Sequence, residues 1–248
     1  MPDVLVEACV DSVASALAAA RAGAGRIELC ANLRDGGTTP SVGALEACRE
    51  RLAVPVFVMI RPRAGDFRYE DEDLDVMARD IRVLRERGAE GVVLGVLTAE
   101  GAVPEDALAR LVDEARPLPV TFHRAFDVAR DSEAALEVLL RRGVDRLLTS
   151  GASATALEGA DLIGRLVRRA GERLAVMAGG GVRARNAAEV VRRTGVRELH
   201  SGPIRHVDGP MRFRATAARV EKGGRDPFAR DVFDDAELGA IVLAVHGL

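Results

Sequence analysis

"RAGAGRIELC" (21–30), "ERGAEGVVLG" (86–95), "RRGVDRLLTS" (141–150) and "RTGVRELHSG" (193–202) superpose on Gly23, Gly88, Gly143 and Gly195. Each reads as the last turn of a helix, a glycine stop and a short apolar strand. Between the copies lie further strand-like runs, "VLVEAC" (4–9), "VPVFVMI" (54–60), "LPVTFH" (118–123) and "LAVMAG" (174–179), so the repeat marks only every second strand. Strands alternating with amphipathic segments, the even strands alike, predict a (β/α)8 TIM-like barrel of class α/β, whose interior layers draw side chains from alternate strands. A doubly wound open sheet shares this periodicity, which does not by itself show closure.

Helix starts are expected at Asp11 or Ser12, at Thr39 with Pro40, and at Asp131 or Ser132, with Gly171 as a further stop. No linker divides the chain before about residue 202. Residues 1–248 therefore read as a single domain, closed by a C-terminal extension and a last helix from about Asp234 to His246.

Apolar residues make up 48% of the 248 residues although there is no Trp and one Tyr, so Val, Leu, Ile and Ala must build the core. A net charge of -3, with both signs interspersed, gives no footprint for nucleic acid. The start "MPDVLVEACVDS" has no basic n-region, and no uncharged run reaches membrane-spanning length. A cytoplasmic protein is expected, with Cys9, Cys30 and Cys48 as free thiols. Schiff-base chemistry needs a strand lysine, and the single lysine is Lys222, in the Gly-rich stretch "VEKGGRDP".

The repeat also aligns positions within the strands. Arg26, Gly91, Arg146 and Glu198 form one tier, Glu28, Val93, Leu148 and His200 the next, and Cys30, Gly95, Ser150 and Gly202 the last. Facing this phase inward is cheaper, because the opposite phase would press Glu28 against apolar helices at several kcal/mol. The first tier then sits at the amino end, where Arg26 or Arg146 can pair structurally with Glu198. Chemistry belongs at the carboxyl end. There, neighbouring strands 8, 1 and 2 bring Glu7, Cys9, Glu28, Cys30 and His200 together. Glu28 and His200 are acid/base candidates, while Cys9 and Cys30 are either soft metal ligands for Cu(I) or Zn, or small buried hydrophobes. Cys48, within an expected helix over 41–52, reads as packing.

On the facing side Arg61, Arg63, His123 and Arg124 follow buried strands. Each arginine needs an anion, and Arg61 or Arg124 is expected either to bind a ligand or to pair with Glu7 or Glu28. His123 is a candidate base or hydrogen-bonding anchor. "MAGGGVR" (177–183) and "HSGPI" (200–204) follow strands 7 and 8, where such barrels usually hold phosphate. Gly180, Gly181 and Ser201 are thus ligand-binding candidates, with a tight turn as the alternative. One reading is an enzyme or sensor for a small anionic or phosphorylated molecule.

"VEACVDSVASALAAARAGAGRIELCANLRDGGTTPS" (6–41), "MIRPRAGDF" (59–67), "GVVLGVLT" (91–98), "TFHRAFD" (121–127), "RLLTSGASATALEG" (146–159), "MAGGGVR" and "GPMRFR" (209–214) together resemble the CutC family. The resemblance implies a cytoplasmic TIM-like barrel that self-associates into a homo-oligomer, with a role in copper homeostasis and a Cu(I)-binding function. Carried over by motif, Cys9 in "VEACVDS" and Cys30 in "RIELCANL" are the copper candidates. The family's first motif tends to read "EVCVDS", and this chain has Ala8 at the middle position. The stretch from about residue 220 matches more loosely.

Overall fold

The computed structural model describes residues 4–214, 226 and 228–248. Lys222 lies outside them. Parallel strands β1 (Leu5–Val10), β2 (Arg26–Leu29), β3 (Val56–Met59), β4 (Gly91–Leu94), β5 (Val120–Phe122), β6 (Arg146–Thr149), β7 (Ala175–Gly179) and β8 (Glu198–Ser201) pair in chain order and close into a barrel, β8 against β1. Closure removes the open-sheet alternative. Around the barrel run α1 (Val13–Arg21), α2 (Val42–Arg49), α3 (Asp71–Glu86), α4 (Glu105–Ala115), α5 (Ser132–Arg141), α6 (Ala160–Ala170) and α7 (Ala184–Thr194), and α8 (Asp235–Val245) closes the chain.

Local chemistry sets the helix ends. Ser12 and Asp131 cap α1 and α5 by accepting backbone N–H groups of the first turn. Helix α2 is capped by Ser41 rather than Thr39, because the Thr39 hydroxyl is taken by the backbone N–H of Arg61, at 3.0 Å. The repeat glycines Gly23, Gly88, Gly143 and Gly195 all have positive φ, which lets the chain leave each helix and turn into the even-numbered strand.

Two apolar clusters confirm the inward phase. Ile27, Leu29, Leu147 and Leu199 join the large core between barrel and helices, while Cys30, Phe57, Met59 and Val93 form a smaller one inside the barrel. Glycine on β4 makes room for the large inner side chains: a Cβ at Gly91 would lie 2.5 Å from the Phe57 ring. Cys48 is buried in the outer core.

The sequence gives no warning of an antiparallel ribbon, β9 (Ile204–Asp208) with β10 (Ala229–Phe233). It stands beside the barrel mouth. Arg34, in the loop after β2, holds Asp231 of β10 at 3.0 Å, and Phe233 is buried in the outer core. No described helix is long and apolar enough to cross a membrane.

Candidate functional site at the barrel mouth

Register assembles the polar wall. Glu7 on β1 is level with Arg26 on β2 and His200 on β8, and Cys9 is level with Glu28. Glu7, fully buried, accepts from Arg26 through Oε2 and lies 2.8 Å from His200 Nδ1 through Oε1. Burial alone would raise its pKa, but the His200 hydrogen bond and the Arg26 and His200 charges reverse this and lower it to about 2. The carboxylate therefore stays ionised and fixes the imidazole with Nδ1–H toward Glu7. Burial lowers the His200 pKa, yet Glu28 and the contacts to Cys9 and Glu7 lift it well above the ordinary value.

His200 Nε2 faces Glu28 Oε2 at 3.7 Å. Glu28 is raised by burial against the opposing His200 charge, and its Oε1 is buried without a partner. An orphaned acceptor of this kind costs about 1–3 kcal/mol. Cys30 Sγ lies 3.7 Å from Glu28 and 3.8 Å from Cys9 Sγ. The Cys9 thiol is raised well above its ordinary value by the hydrogen bond to Cys30 and by burial. For Cys30 the bond to Cys9 lowers the pKa, but burial and the Glu28 charge drive it up to about 11. Two donor groups, Cys9/Glu28/Cys30 and Glu7/Glu28/His200, each bring their ligand atoms within 4.8 Å of one another.

Beneath this wall Arg26 and Arg146 both grip Glu198. Each guanidinium also stacks near the Phe57 ring, at 5.0 and 5.4 Å. The sequence misses the bond from Arg26 to Glu7, because an aligned repeat of even strands is silent on register with odd ones.

The residues after β3 and β5 correct an expectation. Neither Arg61 nor Arg124 meets Glu7 or Glu28. Arg61 is 4% exposed and donates to the carbonyls of Asp35, Gly37 and Gly65, tying the loops after β2 and β3 together. Its Nε has no partner. Arg124 pairs with Asp127, whose carboxylate also accepts from the backbone and hydroxyl of Ser150. Asp127 is a hub that the sequence gives no reason to single out. Phe67 lies between Arg61, 5.1 Å from its ring centroid, and His123, at 5.0 Å. The His123 Nδ1 accepts from Ala125 N–H at 3.1 Å, so the proton of the neutral ring is on Nε2. That Nε2 is buried and unpartnered. Burial and the Arg61 charge lower the His123 pKa to about 3. Arg63 turns outward to Asp66 and Asp73.

After β7, Gly180 and Gly181 both have positive φ, and a Cβ on Gly181 would lie 2.9 Å from Thr155. Packing alone therefore explains a glycine there. The first amide of α7, Ala184 N–H, donates to Glu237 of α8 at 2.9 Å, so the helix N-terminus already has a carboxylate. The Ser201 hydroxyl donates to Val182 O. All three residues still line one cavity of about 610 Å³ at the carboxyl end of the barrel, together with Cys9, Glu28, His200, Arg61, His123 and Arg124. The β10 residues Arg230 and Asp231 form part of its rim.

Residues 4–204 match the model of the CutC family. The chain is 50% identical to the Mus musculus copper homeostasis protein cutC homolog, over 87% of this chain and 79% of that one. It is 45% identical to a CutC family protein of Chromobacterium violaceum, over 96% and 97% of the two chains. The crystal structure of the Streptococcus agalactiae CutC superposes with a TM-score of 0.76 at 36% identity, covering 79% of this chain and 97% of that one. N-(5'-phosphoribosyl)anthranilate isomerase from Pyrococcus furiosus, at 16% identity and a TM-score of 0.56 over 98% of each chain, shares the fold alone. With a family model spanning most of the barrel and relatives this similar along nearly their whole length, the chain belongs to the CutC family.

Proposed function

We propose that the protein serves copper homeostasis by holding Cu(I) between Cys9 and Cys30 at the barrel mouth. The observation that carries this reading is the sulfur pair itself. Two thiolates bound at about 2.3 Å to one closed-shell ion with a tetrahedral angle stand ~3.8 Å apart, and Cys9 and Cys30 stand 3.8 Å apart before any ion arrives. Soft thiolates favour Cu(I). Glu28, with its free Oε1, and His200 lie beside the sulfurs and supply further donors or accept the released protons. Names given to relatives, such as the Mus musculus copper homeostasis protein, agree with this role.

Both thiols have raised pKa values and must lose their protons to ligate, so binding releases protons and weakens as pH falls. A reducing, cytoplasmic setting would keep the pair available. A homo-oligomeric state accompanies this reading, and sedimentation velocity tests it. The decisive measurement is anaerobic competition for Cu(I) against a chromogenic chelator. The Cys9→Ser/Cys30→Ser double variant is expected to lose the competition, and affinity equal to that of the unmodified protein would sink the site.

A further inference from the structure

We infer that the mouth cavity binds a small oxyanion, a phosphate monoester or a carboxylate, through the Nε2–H of His123 and the guanidinium of Arg61. The inference goes beyond the copper reading and does not rest on it: these residues follow β5 and β3, whereas Cys9 is on β1 and Cys30 follows β2.

Three independent features of this wall call for such a ligand. First, His123 is a donor waiting for an acceptor. Its Nδ1 is occupied by Ala125 N–H, which leaves the proton on Nε2; that atom is buried and meets no acceptor, on a residue that lines the cavity. The ring remains neutral through the physiological range, so it offers one hydrogen bond of fixed direction rather than a charge. Second, Arg61 is a buried cation with no carboxylate within ion-pair distance among the described residues; three backbone carbonyls hold its terminal nitrogens and Nε is unused. Buried guanidinium groups are stable when an anion completes their shell. Third, the cavity carries free positive charge and is of suitable size. Arg183 and Arg230 line it beside Asp11 and Asp231 and form no ion pair among the described residues, and about 610 Å³ lies within the usual range for small-molecule sites.

Phe67 holds the two donors in fixed relation, touching both Arg61 and His123, so the subsite is built in advance of its ligand. The anionic end belongs on this wall. A negative charge on the Glu28 side would instead face that carboxylate.

The test uses copper-free full-length protein with 15N-labelled histidines, titrated with inorganic phosphate, glycerol 1-phosphate and malonate. At least one probe is expected to move the His123 Nε2–H resonance, a signal that a purely structural histidine would not change. His123→Asn keeps an oxygen to accept the Ala125 N–H and removes the Nε2 donor. It is expected to raise the Kd roughly tenfold or more while leaving the melting temperature close to that of the unmodified protein. Arg61→Gln provides the second variant, with the same expected loss of affinity. A response to glycerol 1-phosphate alone identifies a phosphate monoester, and a response to malonate alone a carboxylate. Cys9→Ser/Cys30→Ser should bind the probe normally. The inference is overturned if no probe at millimolar concentration moves the signal, or if folded His123→Asn and Arg61→Gln both bind as tightly as the unmodified protein.

Discussion

Arg26→Met tests whether the charged tier below the mouth is held by charge or by packing. Arg26 is 4% exposed and bonds both Glu7, fully buried, and Glu198. Methionine retains much of the aliphatic volume beside Phe57 and Met177, so the change chiefly removes charge. Deleting one partner of a buried ion pair costs about 3–5 kcal/mol. The Glu7 carboxyl gives a second route to the same size: a pKa of about 2 against 4.5 is a depression of about 2.5, or roughly 3 kcal/mol at ~1.4 kcal/mol per unit, part of it owed to His200. At ~2–4 °C per kcal/mol for a chain of this length, the melting temperature should fall by roughly 6–20 °C. Urea denaturation at pH 7 of Arg26→Met, Glu7→Gln and the double variant completes the cycle. The double variant should be more stable than the sum of the single losses predicts, by roughly 1–3 kcal/mol, because neither charge is then stranded. A single-variant loss below ~1 kcal/mol, or strict additivity, would refute the reasoning.

Two further perturbations read other parts of the frame. Folding lowers the His123 pKa from 6.5 to about 3, so the neutral ring contributes stability that is complete above pH 6.5 and is lost as pH falls toward 3. Glu28, raised by burial, acts in the opposite sense, and the His200 contribution is present below pH 6.5 and lost only as pH rises through its elevated folded value. The difference isolates His123: between about pH 4 and 6, stability of the unmodified protein should rise with pH more steeply than that of His123→Asn, by up to ~1.4 kcal/mol per pH unit, in denaturant titrations. Equal slopes would show that another group titrates. Gly91→Ala should destabilise the barrel by about 1–3 kcal/mol, since its Cβ would lie 2.5 Å from the Phe57 ring and the inner cluster must shift; an unchanged urea midpoint would contradict that packing.

The barrel was legible because its signals are local. Gly23, Gly88, Gly143 and Gly195 each end a helix with positive φ, and the alternation of Arg26, Glu28 and Cys30 with Ile27 and Leu29 separates inner face from outer. Register between odd and even strands is not local. Arg26 therefore found Glu7 as well as the expected Glu198, and Arg61 and Arg124 found loop carbonyls and Asp127 instead of Glu7 or Glu28. The anion expected at the glycine loop met a different obstacle: Glu237, more than fifty residues downstream, reaches the first amide of α7. The β9–β10 ribbon was hidden because "IRHVD" and "ARDVF" carry charges on both phases and are largely exposed.

Those departures share a cause that bears on the site itself. Asp127 and Ser150 satisfy Arg124, and three backbone carbonyls take the terminal nitrogens of Arg61 but leave its Nε open. Among the described residues five buried polar side-chain atoms keep no partner; Tyr69 Oη and Arg142 Nε are on residues that do not line the cavity, whereas Glu28 Oε1, His123 Nε2 and Arg61 Nε are all on residues that do. Phe57, Met59 and Val93 fill the neighbouring interior with apolar side chains, so three of the open valences gather on residues of the cavity lining. The acidic wall with its sulfur pair suits a soft cation, and the wall of His123 and Arg61 suits an oxyanion. Since the two walls face one space, occupancy of one should alter affinity at the other, and by linkage the change must be reciprocal. Measuring the Cu(I) affinity with and without saturating oxyanion, and the oxyanion affinity with and without Cu(I), decides whether the mouth is one site or two; a coupling factor of one in both directions would mean that the ligands bind independently and would refute the shared space.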